Sequence, residues 1–224
     1  MGCILKGGGG LYARVVVGAV LLAAGAGSRM GGRPKSLLEL GGVPLIRRQL
    51  IALSGAGVDE VVVVLGHHAQ AIEAAVREFP VTLVRNPAPD DGQASSVRVG
   101  LAALGGKLDA VIVALADQPL INAQDITALI GAFKKRGTAS MVVPRVDGEP
   151  GNPVIFEAAL RDEWLAGEAN GACRRWRDAN PERVHWLDTD NRRYRIDIDT
   201  PEDLQRFTER TGHALRWPAG EVPA

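Results

Sequence analysis

The sequence is poor in cysteine and in aromatic residues, and neither sign of charge is in excess. Of its 224 residues two are cysteine and 4% are aromatic, and 26 basic residues balance 26 acidic ones. Cys3 and Cys173 are too few for a disulfide framework and match no metal-ligand spacing, so they favour a reducing cytosolic compartment. The zero formal net charge argues against nucleic acid or an anionic membrane as a partner, so any phosphate recognition must be local.

Long hydrophobic runs are also absent. The longest, 15–24, is about half of the ~20 residues that cross a bilayer, and glycines rather than a small-residue cleavage site follow it. We therefore expect a cytoplasmic protein without a membrane span or a secretion signal. Residues 1–14 include four successive glycines and show no periodicity, which predicts a flexible lead-in. Residues 15–224 are predicted to form one domain, because a second would be cramped at this length.

Short β-branched runs alternate along the chain with longer amphipathic stretches. This pattern is typical of a Rossmann-like α/β fold, a mostly parallel sheet with helices on both faces. The predicted strands are 15–23, 60–65, 81–85, 110–114 and 140–144, and the predicted helices are 45–55, 69–78, 95–104 and 123–136. After 145 the alternation loosens, and we predict strands at 154–156 and 184–187 and helices at 159–165, 172–179 and 201–210.

The strongest motif is a glycine-rich loop that follows the first predicted strand, LAAGAGSRMG at 22–31, with Lys35 shortly after it. Small residues let backbone N–H groups turn toward an anion, and no Cβ blocks its approach. Arg29 and Lys35 add fixed positive charge suited to phosphate oxygens. The motif therefore predicts binding of a triphosphate, with these positions in contact: Leu22, Ala23, Ala24, Gly25, Gly27, Ser28, Arg29, Met30, Gly31 and Lys35.

Other glycine motifs fit the loop less well. A Walker A loop requires Lys-Ser or Lys-Thr after its last glycine, where Arg33 and Pro34 stand. A dinucleotide fingerprint requires a third glycine at Met30 and an acid after the second strand, where Gly66 and His67 stand. A plain tight turn is the remaining alternative, and the two basic side chains argue against it.

Acidic residues in two segments are candidate metal ligands. Asp117 follows a buried strand, which places it at the carboxyl edge of a parallel sheet, and a carboxylate there suits Mg²⁺. A turn-forming role before a proline is its alternative. Asp197 and Asp199 precede the final helix, which Asp199 or Thr200 could simply cap. Asp203 is interpreted as a solvated residue on the helix surface.

Polar residues after two further strands are weaker candidates. Asn86 ends a strand and Ser95 and Ser96 open the next helix, so all three can line the same sheet edge, although the serines could equally cap the helix. His67 and His68 also follow a strand. They have no cysteine or carboxylate at metal-ligand spacing and are interpreted as part of a surface loop.

Taken in order, these motifs resemble the family that includes molybdenum cofactor cytidylyltransferase and molybdenum cofactor guanylyltransferase. The resemblance covers nearly all of 15–207 and implies a fold of the nucleotide-diphospho-sugar transferase type, with a nucleotide-binding part at about 15–144 and an acceptor-side part at about 145–210. Besides the loop, it rests on VVVVLG at 61–66, NP at 86–87, GQASSVRVGL at 92–101, ALADQPLI at 114–121, GNPVIF at 151–156 and DIDTPEDL at 197–204.

The resemblance implies Mg²⁺-dependent transfer of CMP from CTP to the molybdopterin form of molybdenum cofactor, with release of pyrophosphate. Arg29, Lys35 and Asp117 would be catalytic, and Asp117 would share the metal with Asp199, or alternatively with Asp197. By the same resemblance Ser96 contacts the base or ribose. Asn86 is placed with it among the nucleotide-binding residues.

The partners and the nucleotide also follow from this resemblance. Ala24 is similar to the cytidylyl branch, whereas guanylyl members tend to carry glycine there. A transient contact with a molybdoenzyme or its chaperone is implied, and neither nucleic acid nor membrane is.

The acceptor side departs from the family pattern. Where the resemblance leads us to expect GDxGAR, residues 167–174 read GEANGACR, which leaves the acceptor open. GTP as donor or a sugar or alcohol phosphate as acceptor would keep the same chemistry. Two alternatives from other classes are a nicotinamide- or flavin-dependent reductase and a nucleotide sensor, and retention of Asp117 and Lys35 argues against the sensor.

Overall fold

The computed structural model describes residues 14–166 and 173–220 and shows the predicted α/β fold. The strands are β1 (Val17–Ala23), β2 (Glu39–Leu40), β3 (Val43–Pro44), β4 (Glu60–Leu65), β5 (Thr82–Arg85), β6 (Ala110–Leu115), β7 (Met141–Val146), β8 (Glu149–Pro150), β9 (Val154–Glu157), β10 (Val184–Asp188) and β11 (Leu215–Arg216). The helices are α1 (Leu45–Gly55), α2 (Ala69–Val76), α3 (Gln93–Ala103), α4 (Ala123–Lys134), α5 (Ala158–Ala166), α6 (Cys173–Ala179) and α7 (Pro201–Thr211). The lead-in predicted at 1–14 lies, apart from residue 14, outside the described residues.

The main sheet is mixed and mostly parallel, in the order β10-β7-β9-β6-β1-β4-β5, with β8 paired to β7. β1 runs parallel to β4 and β6, and β5 parallel to β4. β9 is antiparallel to both of its neighbours, β6 and β7. A strand from the predicted acceptor-side part therefore lies inside the same sheet as the nucleotide-binding part.

Helices cover both faces of this sheet, as the fully buried strand β1 requires. Its side chains alternate between two hydrophobic clusters. Ala19 and Leu21 pack with residues of α1, α2 and α4, whereas Val20 and Leu22 pack with residues of α3 and α5. None of the helices in the described ranges is long and apolar enough to cross a membrane.

Helix α3 packs unusually close to the sheet because of one glycine. A Cβ added at Gly100 would lie 2.3 Å from Val20 Cγ1 and 2.8 Å from Val64 Cγ2. Only glycine permits this approach, since real Cβ atoms do not come so near to other carbons. The contact fixes the C-terminal half of α3 against β1 and β4.

Capping boxes begin two of the helices, and one acid has a different role from the predicted one. Asn122 caps α4 in a capping box with Asp125. Thr200, rather than Asp199, caps α7, in a capping box with Asp203. The prediction that Asp203 is a solvated surface residue is wrong: its side chain is 20% exposed and accepts hydrogen bonds from the backbone of Asp199 and Thr200.

A small antiparallel sheet, β11-β2-β3, lies beside the main one. Two-residue strands leave no periodicity in the sequence, so this sheet was not predicted. It contributes to a separate apolar group, which we call the third cluster. The buried members of this cluster are Met30, Leu38, Leu40, Leu45, Ile198, Phe207 and Leu215.

Candidate active site

A cleft of about 340 Å³ opens at the carboxyl ends of β1 and β6. The register places Leu22 beside Leu115 and Ala23 beside Leu65, so the segments that follow these parallel strands meet at one edge. The volume is in the usual range for a small-molecule site. Nine of the residues predicted from the sequence line it: Leu22, Ala23, Ala24, Gly25, Lys35, Ser96, Asp117, Asp197 and Asp199.

Six further residues line the cleft without having been predicted: Ser36, Pro89, Gly92, Gln93, Leu115 and Ala116. Gly92 and Gln93 belong to the motif at 92–101, where α3 begins with Gly92 at a φ of 87°. The signal was therefore present as a glycine that introduces a helix at the sheet edge. Pro89 lies in the turn before it, and no local pattern marks such a residue as a lining residue.

The glycine-rich loop closes on itself by backbone contacts. Gly27 has a φ of 64°, and a Cβ there would lie 1.9 Å from the Arg33 carbonyl oxygen. The Gly27 carbonyl accepts hydrogen bonds from the N–H groups of Met30 and Gly32. Five predicted loop residues are absent from the cleft lining: Gly27, Ser28, Arg29, Met30 and Gly31.

Met30 is the loop residue that the structure places farthest from its predicted role. Its side chain is 6% exposed and packs in the third cluster. Its N–H group donates to Gly27 within the loop. Met30 therefore anchors the loop to the body of the protein.

Three charged residues from separate parts of the chain meet at the cleft. Lys35 Nζ lies 2.7 Å from Asp117 Oδ2 and 2.5 Å from Asp199 Oδ1. Arg29 Nη2 lies 3.2 Å from Asp199 Oδ2. Burial lowers the pKa of Lys35, but the charges and hydrogen bonds of Asp117 and Asp199 outweigh this effect and raise the pKa above its ordinary value.

Asp197 adds a further carboxylate to this group, which we call the cleft cluster (Arg29, Lys35, Asp117, Asp197 and Asp199). Desolvation raises the pKa of Asp197, and the negative charges of Asp117 and Asp199 raise it further. The Ile198 N–H donates to the Asp117 carbonyl at 3.2 Å, which ties the two acidic segments together. Three carboxylates thus face two cations, and the cluster attracts additional positive charge.

This arrangement fits a divalent cation that also takes phosphate ligands. Within 14–166 and 173–220, no group of three or more His, Cys, Asp or Glu side chains could hold a metal ion. Asp117 and Asp199 nevertheless both contact the one ammonium of Lys35, so their oxygens converge on a cation-sized point. Mg²⁺ commonly takes one or two carboxylates together with substrate phosphates, and the donor set matches that use.

Asn86 and Ser96 lie side by side, but only Ser96 lines the cleft. Asn86 is 5% exposed and donates from Nδ2 to Ser96 Oγ at 3.0 Å. Asn86 Oδ1 accepts from the Ala88 N–H and from Ser95 Oγ. The alternative that the serines cap α3 is wrong, because Gly92 occupies the N-cap position and neither hydroxyl bonds to the start of the helix.

His67 and His68 lie in a loop outside any metal-ligand group of the described residues. His67 Nε2 pairs with Asp90 Oδ1 at 2.9 Å. His68 Nε2 donates to the Ala26 carbonyl at 3.1 Å, so this residue supports the glycine-rich loop from the next strand. Its contact with the loop was not predicted, since nothing local in the sequence pairs the two segments.

Behind Asp117, buried amides connect the two acidic segments. Gln118 is 1% exposed and donates from Nε2 to the carbonyls of Asn152 and Tyr194, each at 3.2 Å. Gln49 Nε2 donates in turn to the Gln118 carbonyl. The residue after Asp117 is thereby fixed to the turn that leads to Asp197.

A second group of charged and polar residues attaches the turn before Asp197 to α4. We call it the buried cluster (Asp125, Asn191, Arg193 and Tyr194). Asp125 is 2% exposed and accepts from Arg193 Nε at 2.9 Å and Nη2 at 2.7 Å, and from Asn191 Nδ2 at 2.7 Å. Tyr194 donates its hydroxyl to the Asp125 carbonyl at 2.8 Å. Burial, followed by the charge of Asp125, raises the pKa of Tyr194 to about 12, so it remains a donor.

Of the acceptor-side segment 167–174 that departs from the family pattern, residues 167–172 lie outside the described residues, and Cys173 and Arg174 begin α6. The division of the domain into a nucleotide-binding part and an acceptor-side part at about residue 144 stays a prediction, as do the roles of the individual cleft residues.

Residues 19–184 match the family model of the MobA-like NTP transferase domain. The chain is 33% identical over 196 residues to nicotine blue oxidoreductase of Paenarthrobacter nicotinovorans, across 84% of this chain and 94% of that protein. It is 26% identical to the solved structure of Rv0371c from Mycobacterium tuberculosis H37Rv, with a TM-score of 0.72 over 87% of this chain and 98% of that one. Rv0371c has also been solved in complex with manganese.

The fold is also that of molybdopterin-guanine dinucleotide biosynthesis protein A from Archaeoglobus fulgidus. That likeness has a TM-score of 0.63 at 21% identity, over 87% of this chain and 98% of that one. The family model spans most of the chain and includes both the glycine-rich loop and Asp117. The protein therefore belongs to the MobA-like NTP transferase domain family.

Proposed function

We propose that this protein transfers a nucleoside monophosphate from a nucleoside triphosphate to a small acceptor and releases pyrophosphate. The observation that carries the proposal is the meeting of a glycine-rich loop, one lysine and two carboxylates in a single cleft. Family membership supports the same reaction class.

The reaction needs no protein nucleophile. An acceptor oxygen attacks the α-phosphorus, the bond from that phosphorus to the bridging oxygen breaks, and pyrophosphate leaves with the electron pair. A hydroxyl acceptor loses its proton to water, whereas an ionised phosphate acceptor has no proton to lose. Catalysis of this kind rests on positioning and on charge stabilisation.

The residues of the cleft divide these tasks. The loop, with Gly25 at the cleft and Gly27, Ser28 and Gly31 beside it, would hold the phosphates through backbone N–H groups. Lys35 and Arg29 would stabilise charge on the phosphates. Asn86 would act through Ser96, since its amide fixes the hydroxyl that lines the cleft.

Asp117 and Asp199 would hold the divalent cation, and Mg²⁺ is the proposed ion. When bound, the cation would neutralise phosphate charge and orient the triphosphate. Both carboxylates contact Lys35, whereas Asp197 has no hydrogen bond to Lys35 among the described residues, and this favours Asp199 over Asp197 as the second ligand. Lys35 must leave the point between the carboxylates for a cation to occupy it, which would free its ammonium for the phosphates.

We favour CTP as the donor and the molybdopterin form of molybdenum cofactor as the acceptor. Ala24 lines the cleft and is similar to the cytidylyl branch of the resembling family, and the MobA-like family supports a cofactor of this type. GTP as donor and a sugar or alcohol phosphate as acceptor are the alternatives within this class. A cytoplasmic location and a transient contact with a molybdoenzyme or its chaperone belong to the same proposal.

A reductase is the second candidate function, because of the 33% identity to nicotine blue oxidoreductase over 94% of that protein. A reductase does not need two carboxylates that converge on a cation. Binding of NADPH or a flavin, with oxidation of the cofactor by an electron acceptor, would support this candidate.

The deciding experiment measures pyrophosphate release by the purified chain with Mg²⁺, molybdenum cofactor and CTP, GTP or ATP in turn. We expect release to be fastest with CTP and to stop when the divalent cation is chelated. Faster release with GTP would overturn the choice of donor. If triphosphate binds in calorimetry but no acceptor, sugar and alcohol phosphates included, yields pyrophosphate, the transfer reaction itself is wrong.

A further inference from the structure

The glycine-rich loop is contacted by a residue near the end of the described chain. The guanidinium of Arg33 lies 3.9 Å from the centroid of the Trp217 ring, within the range of a cation–π contact. Arg33 is the residue whose carbonyl oxygen closes against Gly27. Trp217 therefore touches the residue that shapes the return of the loop.

The backbone just before Trp217 is attached to the segment that carries Lys35. β11 pairs antiparallel with β2, Leu215 beside Leu40 and Arg216 beside Glu39. β2 begins two residues after the turn Lys35–Leu37. The segment after α7 thus contacts Arg33 through a side chain, and through the backbone it pairs with β2, the strand that follows the Lys35 turn.

The third cluster makes the same connection through apolar contacts. It brings together Met30 of the loop, Ile198 between the two acids Asp197 and Asp199, and Leu215 of β11, with Trp217 partly buried against them. These residues are separate from the two clusters that fill the faces of the main sheet.

We propose that the segment 213–220 supports the nucleotide site from outside the cleft, and that Trp217 and Arg33 are positioning residues that hold the glycine-rich loop ready for a triphosphate. The inference rests on the proposed binding of a nucleoside triphosphate in the cleft. Neither residue lines the cleft, so each acts through the loop.

The test compares Trp217→Leu and Arg33→Gln with Trp186→Leu. Trp186 is a matched control, because it also lies under an arginine, with the Arg145 guanidinium 5.0 Å from its ring centroid, but on the edge strand β10. We expect Trp217→Leu and Arg33→Gln to raise the KM and Kd for the triphosphate by about three- to ten-fold, with kcat within about two-fold. Trp217→Phe and Arg33→Lys, which retain the ring and the charge, should restore most of the affinity.

Two further readouts separate positioning from general packing. The double variant Trp217→Leu with Arg33→Gln should bind the triphosphate no more weakly than the single variant with the higher Kd, since both substitutions remove the same contact. Hydrogen exchange should speed up at the N–H groups of Met30 and Gly32, which donate to Gly27, in Trp217→Leu but not in Trp186→Leu. The thermal midpoints of the two tryptophan variants should agree within a few degrees.

Failure of this inference can be told apart from failure of the proposed function. If the parent chain binds triphosphate and Trp217→Leu binds it equally well, or if the two arginine and tryptophan effects simply add, the positioning role is wrong while the function stands. If the parent binds no triphosphate, the proposed function fails. The exchange rates then still test the hold on the loop, and unchanged protection at Met30 and Gly32 would overturn it.

Discussion

The cleft cluster and the buried cluster contain the same kinds of charged residues but differ in how far the protein itself satisfies their carboxylates. In the buried cluster, Asp125 is 2% exposed and accepts four hydrogen bonds, from Arg193, Asn191 and the Asn122 backbone. In the cleft cluster, Asp117 and Asp199 share one ammonium and remain 21% and 35% exposed. One carboxylate has all its bonding capacity used by the protein, and the other two keep capacity for a ligand.

The balance of charge differs in the same way. Asp125 meets the single guanidinium of Arg193, so that cluster is neutral. The cleft cluster has three carboxylates against Lys35 and Arg29 and is incomplete without added positive charge. A saturated, neutral group stabilises a fold, whereas an unsaturated, unbalanced one in a cleft is suited to chemistry. Substitutions in the cleft cluster should therefore lower activity, and those in the buried cluster should lower stability.

The largest effect should come from the two carboxylates that share Lys35. Asp117→Asn and Asp199→Asn retain shape but remove charge that a divalent cation needs, so each should lower turnover by a factor on the order of 10² or more. Thermal midpoints should stay within a few degrees of the parent, because neither side chain is buried in the core. Pyrophosphate release at saturating Mg²⁺ and thermal melts of the same samples measure both quantities.

Asp197→Asn is the internal control for that pair. It should retain most of the activity if Asp199 is the second ligand. An inactive Asp197→Asn beside an active Asp199→Asn would reverse the assignment. Full Mg²⁺-dependent activity in Asp117→Asn would remove the division between the clusters altogether.

Lys35→Ala should lower turnover by about 10², since a contact to charge that develops in the transition state contributes a few kcal/mol. The variant leaves Asp117 and Asp199 facing one another without their shared cation, so Mg²⁺ should raise its thermal midpoint more than that of the parent. Turnover and melts with and without Mg²⁺ check the two parts. A folded variant with parental turnover would show that Lys35 has no part in the reaction.

Asp125→Asn should show the opposite pattern. Removing the charge that pairs with Arg193 should lower the free energy of unfolding by about 2 kcal/mol, less than for a fully buried pair because Arg193 is 39% exposed and can be solvated. For a chain of this length the thermal midpoint should fall by roughly 4–8 °C. Well below that midpoint, turnover should remain within about two-fold of the parent. A large loss of turnover without a loss of stability would show that the buried cluster is not merely structural.

The local features of both clusters could be predicted from the sequence, and their long-range partners could not. Helix α1 and strand β4 begin and end where their periodicity predicts, at Leu45–Gly55 and Glu60–Leu65. Asn122 as a cap and Asp117 at the sheet edge follow from neighbouring residues alone. The role of Asp125, by contrast, depends on Arg193, 68 residues away, and a lone acid in a first helical turn looks like an ordinary cap.

The strand order could not be predicted from the sequence for a similar reason. The pattern at 154–156 predicts a strand, but its antiparallel position between β6 and β7 depends on how two distant strands leave a gap. The family resemblance was necessary to propose Asp199 as a second metal ligand, since Asp199 and Thr200 read equally well as helix caps. Only the structure shows Thr200 as the cap and Asp199 in contact with Lys35.

The smallest effect concerns Asp203, which is saturated like Asp125 but lies beside the cleft. Burial acts to raise its pKa, but hydrogen bonds from Arg206, from the backbone of Asp199 and Thr200, and from the Thr200 hydroxyl outweigh this and lower it to about 2. The folded chain therefore releases this proton more readily than the unfolded chain. The resulting stabilisation is fully present above the ordinary pKa of an aspartate, about 3.9, and is lost as the pH falls toward 2.

Asp203→Asn keeps a capping oxygen and removes the charge. It should lower the free energy of unfolding by about 1 kcal/mol at pH 7. This difference in stability between variant and parent, the stability gap, should narrow as the pH falls from 5 to 2, because the parent then loses the same charge. Urea unfolding at pH 7, 5 and 3 measures the gap. Glu202→Gln is the control, since Glu202 is in the same first turn but accepts no hydrogen bond from the described residues, and its smaller gap reports the helix dipole alone. A gap for Asp203→Asn that stays constant across this pH range would mean that its hydrogen bonds, rather than its charge, hold α7 beside Asp199.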